Sequence, residues 1–100
     1  MSFTRINGLL HAEQCSLDQL AQQFGTPLYV YSKSTFEKHY LDMHRAFDFI
    51  DHQICFAVKS NSNIAVLNVL AKLGAGFDIV TVGELARVLA AGGQPSKIVF

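Results

Sequence analysis

What the chain has little of narrows the field first. There is no surplus of charge: eight Lys plus Arg stand against eight Asp plus Glu. A balanced chain offers no electrostatic footing for nucleic acid or for an anionic membrane surface. No apolar run approaches the ~20 residues that span a bilayer. The opening MSFTRINGLL lacks the apolar core and small-residue cleavage site of a secretory signal. Cysteine is scarce too. Cys15 and Cys55 lie forty residues apart with no CxxC, so the expectation is two reduced thiols in a cytoplasmic enzyme. A zinc site would need more ligands at closer spacing. The histidines, His11, His39, His44 and His52, are scattered and read as surface or helix-flank residues. What remains is half apolar and 16% charged, the composition of a soluble globular protein.

Two capping signatures organise the first half. In SLDQLAQQFG, Ser16 and Gln19 form an S-x-x-Q box, and Leu17, Leu20, Ala21 and Phe24 share one helical face. Gly25 suits a left-handed C-cap. TPLYVYS is aromatic and β-branched and reads as a strand starting at Pro27. Residues 34–50 read as a long helix opened by a Ser34–Glu37 box. Its apolar stripe is Phe36, Tyr40, Met43 and Phe47, with Lys38, Asp42, Arg45 and Asp48 on a solvated face.

From residue 54 the rhythm changes. ICFAV is a short two-sided apolar run, which suits a buried parallel strand. SNSN is a loop with N-cap candidates, and IAVLNVLAKLG is a helix closed by Gly74. GFDIV is a second strand. Thr81 and Glu84 box the helix GELARVLAAGG, QPS turns, and KIVF begins a third strand. Ile54, Phe77 and Ile98 start strands 21 to 23 residues apart. Such repeated βαβ units imply an α/β fold with a parallel sheet. An open nucleotide-binding sheet would want a glycine-rich turn after the first strand, and KSNSN has no glycine. The weight therefore falls on the start of a parallel (β/α)8 TIM-type barrel. A closed barrel takes about 250 residues, so only its first strands would be present. SKIVF breaks off as a strand begins, and the expectation is the first part of a longer chain.

The lysine after ICFAV raises the chemical question. Alternation puts Cys55, Ala57 and Lys59 on one face and Ile54, Phe56 and Val58 on the other. The bulky set suits packing against helices. The small set leaves room in front of Lys59, at the rim where barrel enzymes place their chemistry. Partial desolvation there disfavours the ammonium and frees the amine as a nucleophile toward an aldehyde, most commonly that of pyridoxal phosphate. The plainer reading is a lysine snorkelling into solvent, and residue pattern alone does not decide between them. Asp78 sits inside an apolar strand where aspartate is depleted. It either orients Lys59 from the neighbouring strand or is an exposed strand-end residue. Glu84 is fully explained as the third residue of a capping box. Gly74-Ala75-Gly76 reads as a helix cap and tight loop, since no helix start follows it directly.

Here the residues match a pattern. FAVKSNSN followed by LAKLGAGFDIVTVGELARVLAAG resembles the lysine motif and second-strand motif of the fold-type III pyridoxal-phosphate decarboxylases. FGTPLYVYS is similar to that family's opening segment. The resemblance runs over residues 16–100, with nineteen positions between Lys59 and Asp78, and GAGFDIVTVGEL is closer to the diaminopimelate branch than to the ornithine branch. It implies a barrel paired with a β domain, residues 1–31 serving the β domain and 32–100 beginning the barrel. It implies a cytoplasmic homodimer that decarboxylates meso-2,6-diaminopimelate to L-lysine, with no nucleic-acid or membrane partner. The cofactor would be pyridoxal 5′-phosphate on Lys59 as the Schiff-base residue, with Ala57, Asp78 and Glu84 as the other cofactor-side positions. Sister decarboxylases of ornithine, arginine or D-amino acids, racemases and non-catalytic cofactor-binding barrels place a lysine similarly. Ser60 stands where many members carry alanine.

Overall fold

The structure, a computed structural model, describes residues 2–100. It divides into two compact units at Thr35/Phe36.

The first unit opens with strands that the sequence expectations leave out. β1 (Phe3–Ile6) pairs antiparallel with β2 (Leu9–Ala12), and β2 pairs with β3 (Cys15–Ser16). Asn7 and Gly8 form the two-residue loop between β1 and β2 with φ of 53° and 82°. Two successive positive φ values match the right-handed twist of a hairpin, and Asn-Gly is the pair that adopts them most cheaply. That dipeptide was the available signal. α1 (Leu17–Phe24) follows directly, with the Ser16 side chain accepting from the Gln19 N–H at 3.4 Å, so one half of the expected box forms. Gly25 has φ 84° and ψ 175°, a positive-φ exit but not a left-handed helical one.

Two expectations fail here. TPLYVYS is not a strand: residues 26–32 carry no ladder, and the Tyr29 side chain is 86% exposed. Aromatic and β-branched composition measures fit to a pleated, half-buried surface, and no strand among the described residues lies alongside to supply one. The second failure is the start of α2 (Lys33–Ala46), which begins before Ser34. The cap is Ser32, whose Oγ accepts from the Thr35 N–H at 3.3 Å. Glu13 adds a distant cap: its Oε2 accepts from Ser32 Oγ at 2.7 Å and from the Ser34 N–H at 3.1 Å.

In the second unit α2 ends at Ala46, four residues short of the expected stop. Phe36 and Tyr40 pack on the core, whereas Met43 and Phe47 stay 52% and 43% exposed. His44 and His52 prove to be partners, their Nδ1 and Nε2 3.0 Å apart. A contact across eight residues and a chain reversal has no periodic signature.

The rest runs as the sequence implies. β4 (Cys55–Ala57), α3 (Ile64–Lys72), β5 (Gly76–Asp78), α4 (Val82–Ala90) and β6 (Ile98–Val99) alternate, and the sheet order is β4-β5-β6. Both pairings are parallel, with Phe56 opposite Phe77 and Phe77 opposite Ile98. This is an α/β arrangement consistent with the first three strands of a barrel. Phe77 is fully buried with Leu67 of α3 and Val88 of α4, and Phe56 and Ile98 pack against the same cluster. One sheet face is therefore covered by helices. Ala57, Asp78 and Val99 lie together on the other. Gly76 permits the close approach of β4 and β5, since a Cβ there would lie 2.8 Å from Cys55 Sγ and 2.5 Å from the Lys97 carbonyl.

Candidate active site

The sequence-derived site residues gather at the carboxyl end of the parallel sheet. Ala57 is the last residue of β4 and pairs in register with Asp78, the last residue of β5. Lys59 follows Ala57 by two positions. It does not continue the strand, because Val58–Ser60 closes into a single 3₁₀ turn. The expected alternation still holds at Val58, which is fully buried, and at Lys59, which is exposed. The partial desolvation expected for Lys59 is absent from this chain by itself. Asp78 and Val99, which share a sheet face with Ala57, are exposed as well.

The turn is fixed mostly by its own groups. Ser60 Oγ donates to the Ala57 carbonyl at 2.7 Å, and the Asn61 N–H donates to the Val58 carbonyl at 3.1 Å. Asn61 Oδ1 accepts from the Asn63 N–H at 3.0 Å. Asn63 is the N-cap of α3, its Oδ1 accepting from the Ala65 N–H at 2.9 Å. The polar run SNSN thus converts a strand end into a helix start within four residues. From α4, Arg87 Nη1 donates to the Ser62 carbonyl at 3.2 Å. No sequence signal singles out that contact, which spans 25 positions.

Asp78 is exposed while Phe77 and Ile79 on either side are buried at 0% and 6%. Its parity is the expected one. Among the described residues it forms no ion pair with Lys59, the only ion pair being Lys38–Asp42 on α2. Glu84 is committed to the chain itself. Its Oε1 accepts from the Val80 N–H at 2.7 Å and the Thr81 N–H at 3.1 Å, and its own N–H donates to Thr81 Oγ1 at 3.1 Å. Both halves of the expected box are present, and they hold the backbone just beyond Asp78. Gly74-Ala75-Gly76 is likewise a helix exit leading into β5, with Gly74 at φ 93° and its carbonyl accepting from Lys97 Nζ at 3.1 Å. At the other end of the sheet, burial first and then the neighbouring Cys55 thiol push the Tyr40 hydroxyl above the ordinary tyrosine range.

The site therefore offers one exposed primary amine on a short, well-bonded turn, a carboxylate on the adjacent strand, and the small Ala57 side chain beside it. Such a set can capture a carbonyl compound and balance a positive charge next to it.

Comparison with known proteins places this geometry among relatives. Residues 33–100 match the family model described as "Pyridoxal-dependent decarboxylase, pyridoxal binding domain". The diaminopimelate decarboxylase of Vibrio cholerae is 61% identical over 94 residues, 94% of this chain and 22% of that protein. The diaminopimelate decarboxylase of Haemophilus influenzae is 64% identical over 91 residues, 91% of this chain and 22% of that protein. Among solved structures, the diaminopimelate decarboxylase of M. jannaschii in co-complex with L-lysine superposes with a TM-score of 0.92 at 32% identity. It covers 99% of this chain and 24% of that one. The chain thus spans less than a quarter of the length of these relatives.

Proposed function

The chain belongs to the pyridoxal-dependent decarboxylase family, and from that premise we propose that the full-length protein decarboxylates meso-2,6-diaminopimelate to L-lysine and carbon dioxide. The observation that carries the reading is Lys59 at the carboxyl end of a parallel strand, on a turn of its own, with Asp78 on the next strand. Support for the substrate comes from the two bacterial relatives above, identical at 61% and 64% of aligned positions.

The residues fit an aromatic aldehyde cofactor. The amine is exposed, and its sheet face carries the small Ala57. Lys59 Nζ is the atom that would hold pyridoxal 5′-phosphate and yield it to the substrate amine. When bound, the cofactor supplies an electron sink for the carbon that loses carbon dioxide. Freed from the cofactor, Lys59 Nζ can carry a proton to that carbon. Asp78 sets a carboxylate on the sheet face it shares with Ala57, where it would favour positive charge on a bound cofactor, and Ala57 leaves room before the amine. Glu84 acts by fixing residues 80 and 81, which lead away from Asp78.

In this proposal residues 1–31 join a β domain and residues 32–100 open a (β/α)8 barrel. Cover for Lys59 comes from the longer chain and from the partner in a cytoplasmic homodimer. No described helix is long and apolar enough to cross a membrane.

The decisive experiment uses the full-length protein. Lys59→Ala is expected to abolish the visible absorbance of bound cofactor and its fixation to the chain by borohydride. Persistence of both would overturn the assignment. Carbon dioxide release from a panel of diaminopimelate, ornithine, arginine and D-amino acids is expected to be fastest with diaminopimelate. A faster rate on another member of the panel would move the substrate and leave the role of Lys59 standing.

A further inference from the structure

We infer that Arg87 is a positioning residue for the turn that carries Lys59. In parallel βαβ units each helix starts at the carboxyl end of the preceding strand, so α3 and α4 begin at the same end of the sheet. Arg87 is the sixth residue of α4, about 7.5 Å along the axis from Val82. Long side chains on a helix lean back toward its N-terminus. From there the guanidinium reaches the level of the β4–α3 turn and donates to the Ser62 carbonyl at 3.2 Å.

That contact differs from the others nearby. The remaining hydrogen bonds of residues 60–63 join groups no more than four positions apart. Val58 is pinned by complete burial, and Asn63 by its place as the α3 N-cap. Between those two points, the Arg87 bond is the only hydrogen bond that ties residues 60–63 to a distant element, among the described residues. It grips a main-chain oxygen, so it fixes the course of the backbone whatever side chain stands at 62. A cation beside the start of α3 opposes that helix's dipole, so helix stabilisation of α3 does not account for it. A charged donor to a carbonyl is also the stronger kind of hydrogen bond.

The inference rests on the reading of Lys59 as the cofactor-holding amine, and its test separates the two. Arg87→Met and Arg87→Lys are made in the full-length protein. Amide hydrogen exchange is followed for the peptide spanning residues 59–63, with no cofactor added. Loss of one such bond is expected to speed exchange there roughly fivefold in Arg87→Met. Arg87→Lys, which keeps a charged donor, should restore part of the protection, and exchange in β5 should be unchanged. The dissociation constant for pyridoxal phosphate, titrated by absorbance, should rise in the same order. Equal exchange in wild type and Arg87→Met overturns the inference. So does acceleration spread evenly over β5 and α4, the mark of a merely structural loss, or faster exchange with unaltered cofactor affinity. If the wild type attaches no cofactor at Lys59, the proposed function falls, while the exchange comparison still decides whether Arg87 holds the turn.

Discussion

Glu13 carries a backbone cost that its carboxylate offsets. Its φ of 55° lies in the left-handed region that disfavours a residue with a Cβ. In return the carboxylate caps α2. The Ser32 hydroxyl first, and then the Ser34 N–H, hold its carboxyl below the ordinary glutamate value of 4.5. A lowered folded-state value means that stability is present above 4.5 and is lost as pH falls through the folded value. Thermal melts from pH 6 to pH 3 should therefore fall more steeply for wild type than for Glu13→Gln, and parallel curves would refute the cap. Gly76 makes a different kind of demand. Gly76→Ala sets a methyl against Cys55 Sγ at 2.8 Å and a main-chain carbonyl that cannot turn aside. Overpacking of this kind costs about 1–3 kcal/mol, measurable by urea unfolding of the full-length protein.

Elements show where sequence suffices. The Thr81–Glu84 box was legible because every group it needs lies within three residues, and the helix it opens formed at the expected place. Thr81→Ala should cost about 1 kcal/mol, within the usual range for a lost N-cap. Glu84→Gln keeps an acceptor oxygen and should leave both melting temperature and cofactor affinity near wild type. A tenfold weaker affinity at unchanged melting temperature would instead give Glu84 the direct cofactor contact that the family resemblance implies. The α2 start was misread for the opposite reason. Ser34 and Glu37 have the right spacing, but the groups that decide the start are Ser32 and Glu13, and Glu13 is nineteen positions from Ser32. TPLYVYS failed because strand composition needs a neighbour, and the Asn7-Gly8 hairpin went unread although its signal was local.

For the whole molecule, the parallel order and the parity of Val58, Phe77 and Asp78 were readable, since period-two burial leaves its mark along each strand. The exposure of Lys59 matches the plainer of the two readings the residues allow, and the strand alone does not choose between them because the choice depends on what is packed over the face. That face leaves Val99 50% exposed, and β4 and β6 are both edges. The 100-residue chain alone should therefore melt broadly by circular dichroism, and the full-length protein sharply. A sharp transition in the short chain would contradict this. A fully buried side chain and the amine proposed to hold the cofactor are immediate neighbours, Val58 and Lys59. A slip of one residue would exchange them, driving an ammonium into oil and an isopropyl group into water. Misthreading at this point is thus penalised twice over, and any molecule that folds at all keeps the Lys59 amine out of its core.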